Sequence, residues 1–336
     1  MKSTLSFDDV LLVPQYSDIE SRSEEVSLDS ALGEVTTQIP VISSPMDTVT
    51  ETNMARAMDD LGGLGIVHRY NSIEGQASII RSSNARNVGA AIGVSGDYVE
   101  RAQEAIKAGA NILCVDIAHG HHTLMRHALK VLRNTLGTQV HIMAGNVATR
   151  KAVDDLADWG ADSIRIGIGG GSICSTRIQT GHGMPTLASV IECAKSDRDV
   201  ALIADGGIRN SGAICKALAA GADFVMLGSM LSGTDEAPGE KNFDSRTGKF
   251  YKAYRGMASV EAQIDWRGHT SSVEGVASTV DYKGSVEAVI SDIVRGVRSG
   301  LSYSGARTIR ELQARSRMVR ITSSGIIESQ THILNT

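Results

Sequence analysis

Eight short apolar runs recur between residues 41 and 230, at VISSPM (41–46), GLGIVH (63–68), GAAIGV (89–94), ILCVDIA (112–118), VHIMAGNV (140–147), SIRIGIG (163–169), VALIADGGI (200–208) and FVMLGSM (224–230). Each is continuously apolar rather than alternating, as a parallel strand covered on both faces requires. Between them lie segments such as GDYVERAQEAIKAG and TRKAVDDLADWG, with apolar residues at three-and-four spacing. The same join, Ala/Trp-Gly-Ala-Asn/Asp, recurs at 108–111, 159–162 and 220–223. Glycine there suits the left-handed position just past a helix end. Eight such units predict an α/β fold, a (β/α)8 TIM barrel, with a doubly wound open sheet as the alternative.

Residues 234–284 are polar, Gly-rich and weakly periodic, and SVEAVISDIVRGVRSG (285–300) then reads as the last barrel helix. An insertion after the eighth strand falls on the face where barrel active sites form, so a mobile active-site flap is expected within a single domain spanning 1–336. The alternative is a surface decoration. The formal charge of −5, with no basic stripe, argues against a nucleic-acid partner. Cys114, Cys174, Cys193 and Cys215 are too few and too scattered for a disulfide framework or a CxxC zinc site. No apolar run reaches membrane-spanning length and no signal-peptide core opens the chain, so a cytoplasmic protein is expected.

The strongest chemical signal is GIGGGSICSTR (167–177), directly after the sixth run. Four glycines in five residues let the backbone approach an anion and aim N–H groups at it, and Ser172 adds a hydroxyl. Cys174 follows three residues beyond Gly171. Packing explains the three other cysteines, which lie in apolar strand or helix patterns. Cys174 satisfies no such pattern and reads either as a nucleophile or as a loop thiol. The seventh run ends in Asp205-Gly206-Gly207 and the eighth in Gly228-Ser229, where barrels commonly hold a phosphate. Asp205 suits the paired hydroxyls of a ribose, or else it caps the next helix. These ends together point to a phosphorylated, nucleoside-sized substrate. DIAHGHH (116–122) lacks the spacing of a metal site, and the glycine loop lacks the context of a Rossmann fingerprint.

The loop GIGGGSICSTR, with SSPMDTV, AGNVAT, ADGGIR, VMLGSMLSGTDEAPGE and YKAYRGM in that order, resembles the inosine monophosphate dehydrogenase/guanosine monophosphate reductase family over nearly the whole chain. The resemblance implies a barrel, usually tetrameric, in which a cysteine attacks C2 of GMP or IMP and a nicotinamide cofactor exchanges hydride there. It implies Cys174 as nucleophile, with Thr176 and Glu274 in proton transfer. Ser44, Ser172, Gly207, Gly228, Ser229 and Tyr254 would hold the phosphate, Asp205 the ribose, and Met46, Gly256 and Met257 the base beside Glu274. Asp116, Asn146 and Arg165 match the nicotinamide side. A potassium ion at Gly169, Gly171 and Cys174 is also implied.

Dehydrogenases of the family typically insert a pair of regulatory nucleotide-sensing domains between the second and third barrel units. Here residues 81–87 run straight into GAAIGV. Dehydrogenases also activate a hydrolytic water with an Arg-Tyr pair in the flap. Here Arg267 precedes Gly268, and no tyrosine lies between Met257 and Gly275. These features, with the DIAHGHH and HisArgTyr (68–70) segments, suggest GMP reductase with NADPH. The ending VRITSSGIIES resembles dehydrogenases, which would use IMP and NAD, and Gly170 stands where a proline is usual. A catalytically idle purine-nucleotide-binding regulator is the reading from a different class, and the Cys174–Thr176 pair with Glu274 argues against it.

Overall fold

Runs that are apolar on both faces need cover on both faces, and the eight runs obtain it by closing on one another. In the computed structural model, which describes residues 3–331, they form strands β1 (Val41–Ser43), β2 (Leu64–Val67), β3 (Val88–Ile92), β4 (Ile112–Asp116), β5 (His141–Val147), β6 (Ser163–Ile166), β7 (Ala201–Asp205) and β8 (Phe224–Leu227). Each pairs in parallel with its neighbour in sequence. β8 returns to β1 with Val225 beside Val41 and Leu227 beside Ser43. That last pairing closes the barrel and excludes the open sheet.

Alternation along each strand divides the apolar residues between two layers. Ile112, Cys114, Ile203, Phe224 and Met226 fill the barrel interior, together with Leu32 and Val35 of a short N-terminal hairpin. Leu113, Val115, Ala204, Val225 and Leu227 face the surrounding helices. Truncating the fully buried Phe224 to Ala should therefore destabilise the fold by about 3–5 kcal/mol.

The helices after successive strands are α1 (Thr52–Asp60), α2 (Ile73–Ser83), α3 (Tyr98–Lys107), α4 (Thr123–Leu136), α5 (Arg150–Asp158), α6 (Thr186–Cys193), α7 (Ser211–Ala219) and α8 (Val286–Tyr303). The repeated joins behave as expected: Gly109, Gly160 and Gly221 take φ of +115°, +112° and +111°, a region in which a Cβ is strained. The chain's ends meet where Val10–Leu12 pairs antiparallel with Met318–Arg320. Among the described residues, no helix is long and apolar enough to cross a membrane.

Between β8 and α8 the structure differs from the weakly periodic segment expected from sequence. Strands β9 (Asn242–Asp244), β10 (Lys249–Arg255) and β11 (Ala277–Asp281) form an antiparallel sheet, and a helix, Val260–Arg267, joins the last two. Polar side chains hid this fold, because its fixed points are polar. Lys252, only 4% exposed, donates to the carbonyls of Thr234 and Ala237. Arg255 pairs with Asp47 of the loop after β1, at 2.7 Å, and with Asp265 of the inserted helix, at 2.5 Å.

Candidate active site

The C-terminal ends of the strands converge on a cavity of about 340 Å³, within the range typical of small-molecule sites. Every site residue expected from sequence lines it: Ser44, Met46, Asp116, Asn146, Arg165, Gly169, Gly171, Ser172, Cys174, Thr176, Asp205, Gly207, Gly228, Ser229, Tyr254, Gly256, Met257 and Glu274. The inserted segment is thus part of the site wall. A larger cavity of about 1020 Å³ lies at the opposite end, lined by Thr36, Asp59, Arg86, Asp223 and Gln313. It contains no cysteine and none of the glycine turns. The chemistry is therefore assigned to the smaller one, on the face where barrels react.

Cys174 is held half-buried in a loop pinned from two sides. Its own N–H donates to the Gly171 carbonyl at 3.2 Å, while Ser175 N–H donates to the Glu274 carbonyl and Val276 N–H to the Ile173 carbonyl. The glycine loop and the inserted segment therefore share a short antiparallel contact, Cys174 opposite Gly275. This brings the side chains into a chain of hydrogen bonds. Cys174 Sγ donates to Thr176 Oγ1 at 3.2 Å, and Thr176 Oγ1 donates to Glu274 Oε2 at 2.7 Å. A thiol proton thus has a path to a carboxylate. The other three cysteines are buried, and burial pushes Cys114, Cys193 and Cys215 up to about 11, 12 and 11.

The turn after β8 faces the loop after β1. A side chain at Gly228 would meet Ser44 Oγ at 3.1 Å, the Tyr254 hydroxyl at 3.1 Å and Met46 Sδ at 3.2 Å. Ser44 Oγ is buried with no partner among the described residues. A buried hydroxyl without a partner is costly unless a ligand meets it. Tyr254 is 4% exposed, and burial raises its phenol pKa while the neighbouring Ser172 hydroxyl opposes the shift. Three hydroxyls and two glycine turns in so small a volume form a cradle for an anion.

Asp205 does not cap the next helix; Asn210 does, accepting from Ala213 N–H. Instead Asp205 Oδ2 accepts from Arg165 and from Asn146 Nδ2, each at 2.8 Å. Arg165 also donates to Asp116 at 2.7 Å. Burial opposes the Arg165 charge, but Cys114 and the carboxylates of Asp205 and Asp116 outweigh it and hold the pKa above its usual value. The ribose and nicotinamide sets expected from sequence are therefore one network. Behind it, a Cβ on Gly167 would sit 1.9 Å from the Asp205 carbonyl oxygen, so β6 and β7 can end this close only with glycine there.

Sequence reasoning used Arg69 and Tyr70 only as part of a family-like segment and did not assign them to the site, yet both line the cavity. Their place at the end of β2 was an available signal. Tyr70 stacks on Trp266 of the inserted helix, rings 4.2 Å apart, with the Arg69 guanidinium 5.4 Å from both rings. No local pattern announces Trp266. In DIAHGHH, His121 pairs with Asp155 at 2.8 Å and His122 caps α4. Among the described residues no group of three or more His, Cys, Asp or Glu could hold a metal ion. Of the three positions expected for potassium, the Gly171 carbonyl already closes the loop's own turn.

The IMP dehydrogenase / GMP reductase domain model matches residues 4–332. An inosine-5'-monophosphate dehydrogenase of Nitrosopumilus maritimus is 34% identical across 98% of each chain. That alignment runs over 473 columns against 336 residues, so the relative carries residues this chain lacks. A GMP reductase of Leishmania major is 33% identical over 98% of this chain and 96% of its own. A crystal structure of Trypanosoma brucei GMP reductase, a cysteine-to-alanine variant in complex with guanosine 5'-monophosphate, superposes with a TM-score of 0.94 at 33% identity. It covers 99% of this chain and 98% of its own. The chain belongs to the IMP dehydrogenase/GMP reductase family, oxidoreductases acting on purine nucleotides.

Proposed function

We propose that this chain is a GMP reductase, converting GMP to IMP and ammonia with NADPH through a covalent bond between Cys174 and purine C2. The observation that carries the choice is the state of Arg267. It is followed by Gly268 rather than a tyrosine, and its Nη2 and Nε are engaged within the inserted segment, on Gln263 and Ser271 and on the His269 carbonyl. A dehydrogenase must activate water to hydrolyse its covalent nucleotide. Neither member of the expected Arg-Tyr pair serves that role here.

In this reading Ser44, Ser172, Gly207, Gly228, Ser229 and Tyr254 grip the phosphate, and Asp205 receives the ribose hydroxyls. Met46, Gly256 and Met257 bound the base. Cys174 loses its proton through Thr176 to Glu274, and its sulfur forms a bond to C2. The same pair returns a proton to the departing amino group, and the C2–N bond breaks. A nicotinamide cofactor held there would supply hydride; C2 accepts it, and the C–S bond breaks to return Cys174 as the thiolate. Overall, GMP, NADPH and two protons give IMP, NADP⁺ and ammonium. Asn146 Oδ1 and Arg69 Nε, buried without hydrogen-bond partners among the described residues, the latter 3.8 Å from Asp116 Oδ2, are an acceptor and a donor of the kind a carboxamide requires. The residues therefore fit a nicotinamide beside Asp116 and Arg165.

A single catalytic domain without regulatory inserts, a mobile inserted flap, a homotetramer and a cytoplasmic location belong to the same proposal. The second reading, IMP dehydrogenase with NAD, has the support of relatives so named at similar identity. The test is a pair of assays, GMP with NADPH and IMP with NAD⁺, followed at the reduced-cofactor absorbance. Turnover in the first supports reductase, and turnover only in the second overturns it.

A further inference from the structure

Two lysines of the inserted segment point away from the cavity, into the back of the turn after β8. Residues 228–232 form that turn: Leu231 and Ser232 N–H both donate to the Gly228 carbonyl, at 3.0 and 2.9 Å. Gly228 and Ser229 at its start line the nucleotide cavity. Its remaining carbonyls point the other way. Lys283 Nζ donates to those of Ser229, Met230 (3.3 Å) and Ser232 (2.8 Å). Lys252 takes the next carbonyls, Thr234 and Ala237.

Lys283 sits just past β11, where the inserted segment rejoins α8. Its own N–H donates to the Gly233 carbonyl at 3.0 Å. Beside it Tyr282 donates to Asp235 at 2.7 Å, and Glu236 caps α8 at Val286 N–H. The charged groups that face this knot are Asp235 and Glu236 near Lys252, and Asp281 near Lys283. The Lys283 residue is exposed, yet its ammonium end is desolvated enough to lower its pKa.

We propose that Lys283 is a positioning residue that braces the phosphate-binding turn from behind, so that the stem of the inserted segment and the grip on the nucleotide phosphate are one rigid unit. The physical basis is that an ammonium holding three carbonyls fixes the orientation of the turn's opposite, ligand-facing edge. The proposal rests on the reading that this turn binds phosphate.

The test compares GMP with guanosine, which lacks the phosphate, by calorimetric titration of wild type, Lys283→Gln and Lys283→Arg. Wild type should prefer GMP strongly; equal affinity for both ligands would overturn the phosphate reading itself. Lys283→Gln should weaken GMP about tenfold, the loss expected of a charge-assisted hydrogen bond, and leave guanosine unchanged. Lys283→Arg should recover most of the GMP affinity. Equal losses for both ligands, or none, would overturn the role of Lys283 while leaving the phosphate reading intact. Should the glutamine variant not fold, acetylation of wild type decides. GMP should slow labelling of Lys283 several-fold by peptide mass spectrometry and guanosine should not; identical labelling with both ligands contradicts the proposal.

Discussion

Thr176 and Glu274 are 98 residues apart in the chain and share a 2.7 Å hydrogen bond beside the Cys174 thiol. The contact exists because the loop after β6 pairs with the edge of the inserted segment, so folding of that segment completes the proposed proton path. Glu274→Gln keeps the volume but removes the base. Turnover should fall about 100-fold or more, while GMP affinity stays within about threefold. Steady-state kinetics with calorimetric titration checks this; an unchanged kcat would remove Glu274 from the chemistry.

Reactivity should single out Cys174. The other thiols are buried with raised pKa values, whereas Cys174 lines the cavity. Iodoacetamide at about pH 8 should add one label per chain to the native protein and abolish activity, and GMP should slow the reaction. Intact and peptide mass spectrometry reads both. A Cys174→Ala variant should bind GMP and turn over none of it.

The glycine loop carries a steric prediction. A Cβ at Gly170 would sit 2.6 Å from Thr186 Oγ1, which is buried without a partner among the described residues. Gly170→Ala should destabilise the protein by about 1–3 kcal/mol, and adding Thr186→Ala should recover a good part of that. Urea unfolding of the two single variants and the double variant measures the coupling. Strictly additive losses would refute the contact.

Acid sensitivity should arise at the other end of the barrel. His141 hydrogen-bonds Ser163 at 2.8 Å. Burial lowers its pKa below 6.5, the Asp162 carboxylate opposes the shift and Arg133 adds to it. The fold thus favours the neutral ring, and the unfolded chain binds the proton more readily. Stability from this site is complete above about pH 6.5 and is lost as pH falls toward the lowered value. His141→Gln should flatten the fall in urea midpoint between about pH 7.5 and 5.5. An identical pH slope in both proteins would count against it.

The barrel was legible because parallel strands buried on both faces leave unbroken apolar runs, and because Gly109, Gly160 and Gly221 mark helix ends. The glycine turns, Cys174 and Asp205 were legible because strand ends of a barrel share one face. Thr176 with Glu274, and Asn146 and Arg165 as nicotinamide-side positions, came from resemblance to a family, since no spacing rule links residues so far apart; that both bind Asp205 emerged only from the fold. The inserted sheet was opaque, because Lys252, Arg255 and Lys283 fix it through carbonyls and carboxylates rather than through an apolar stripe. The Tyr70–Trp266 stack joins two elements whose sequences carry no mutual signal.

The central claim is that Cys174 exchanges the amino group of GMP for hydride. The most direct measurement is ammonium released against NADPH consumed when the purified protein is given GMP. The account predicts one ammonium per NADPH, with IMP as product. Absence of ammonium with GMP, together with NADH formation from IMP and NAD⁺, would contradict it.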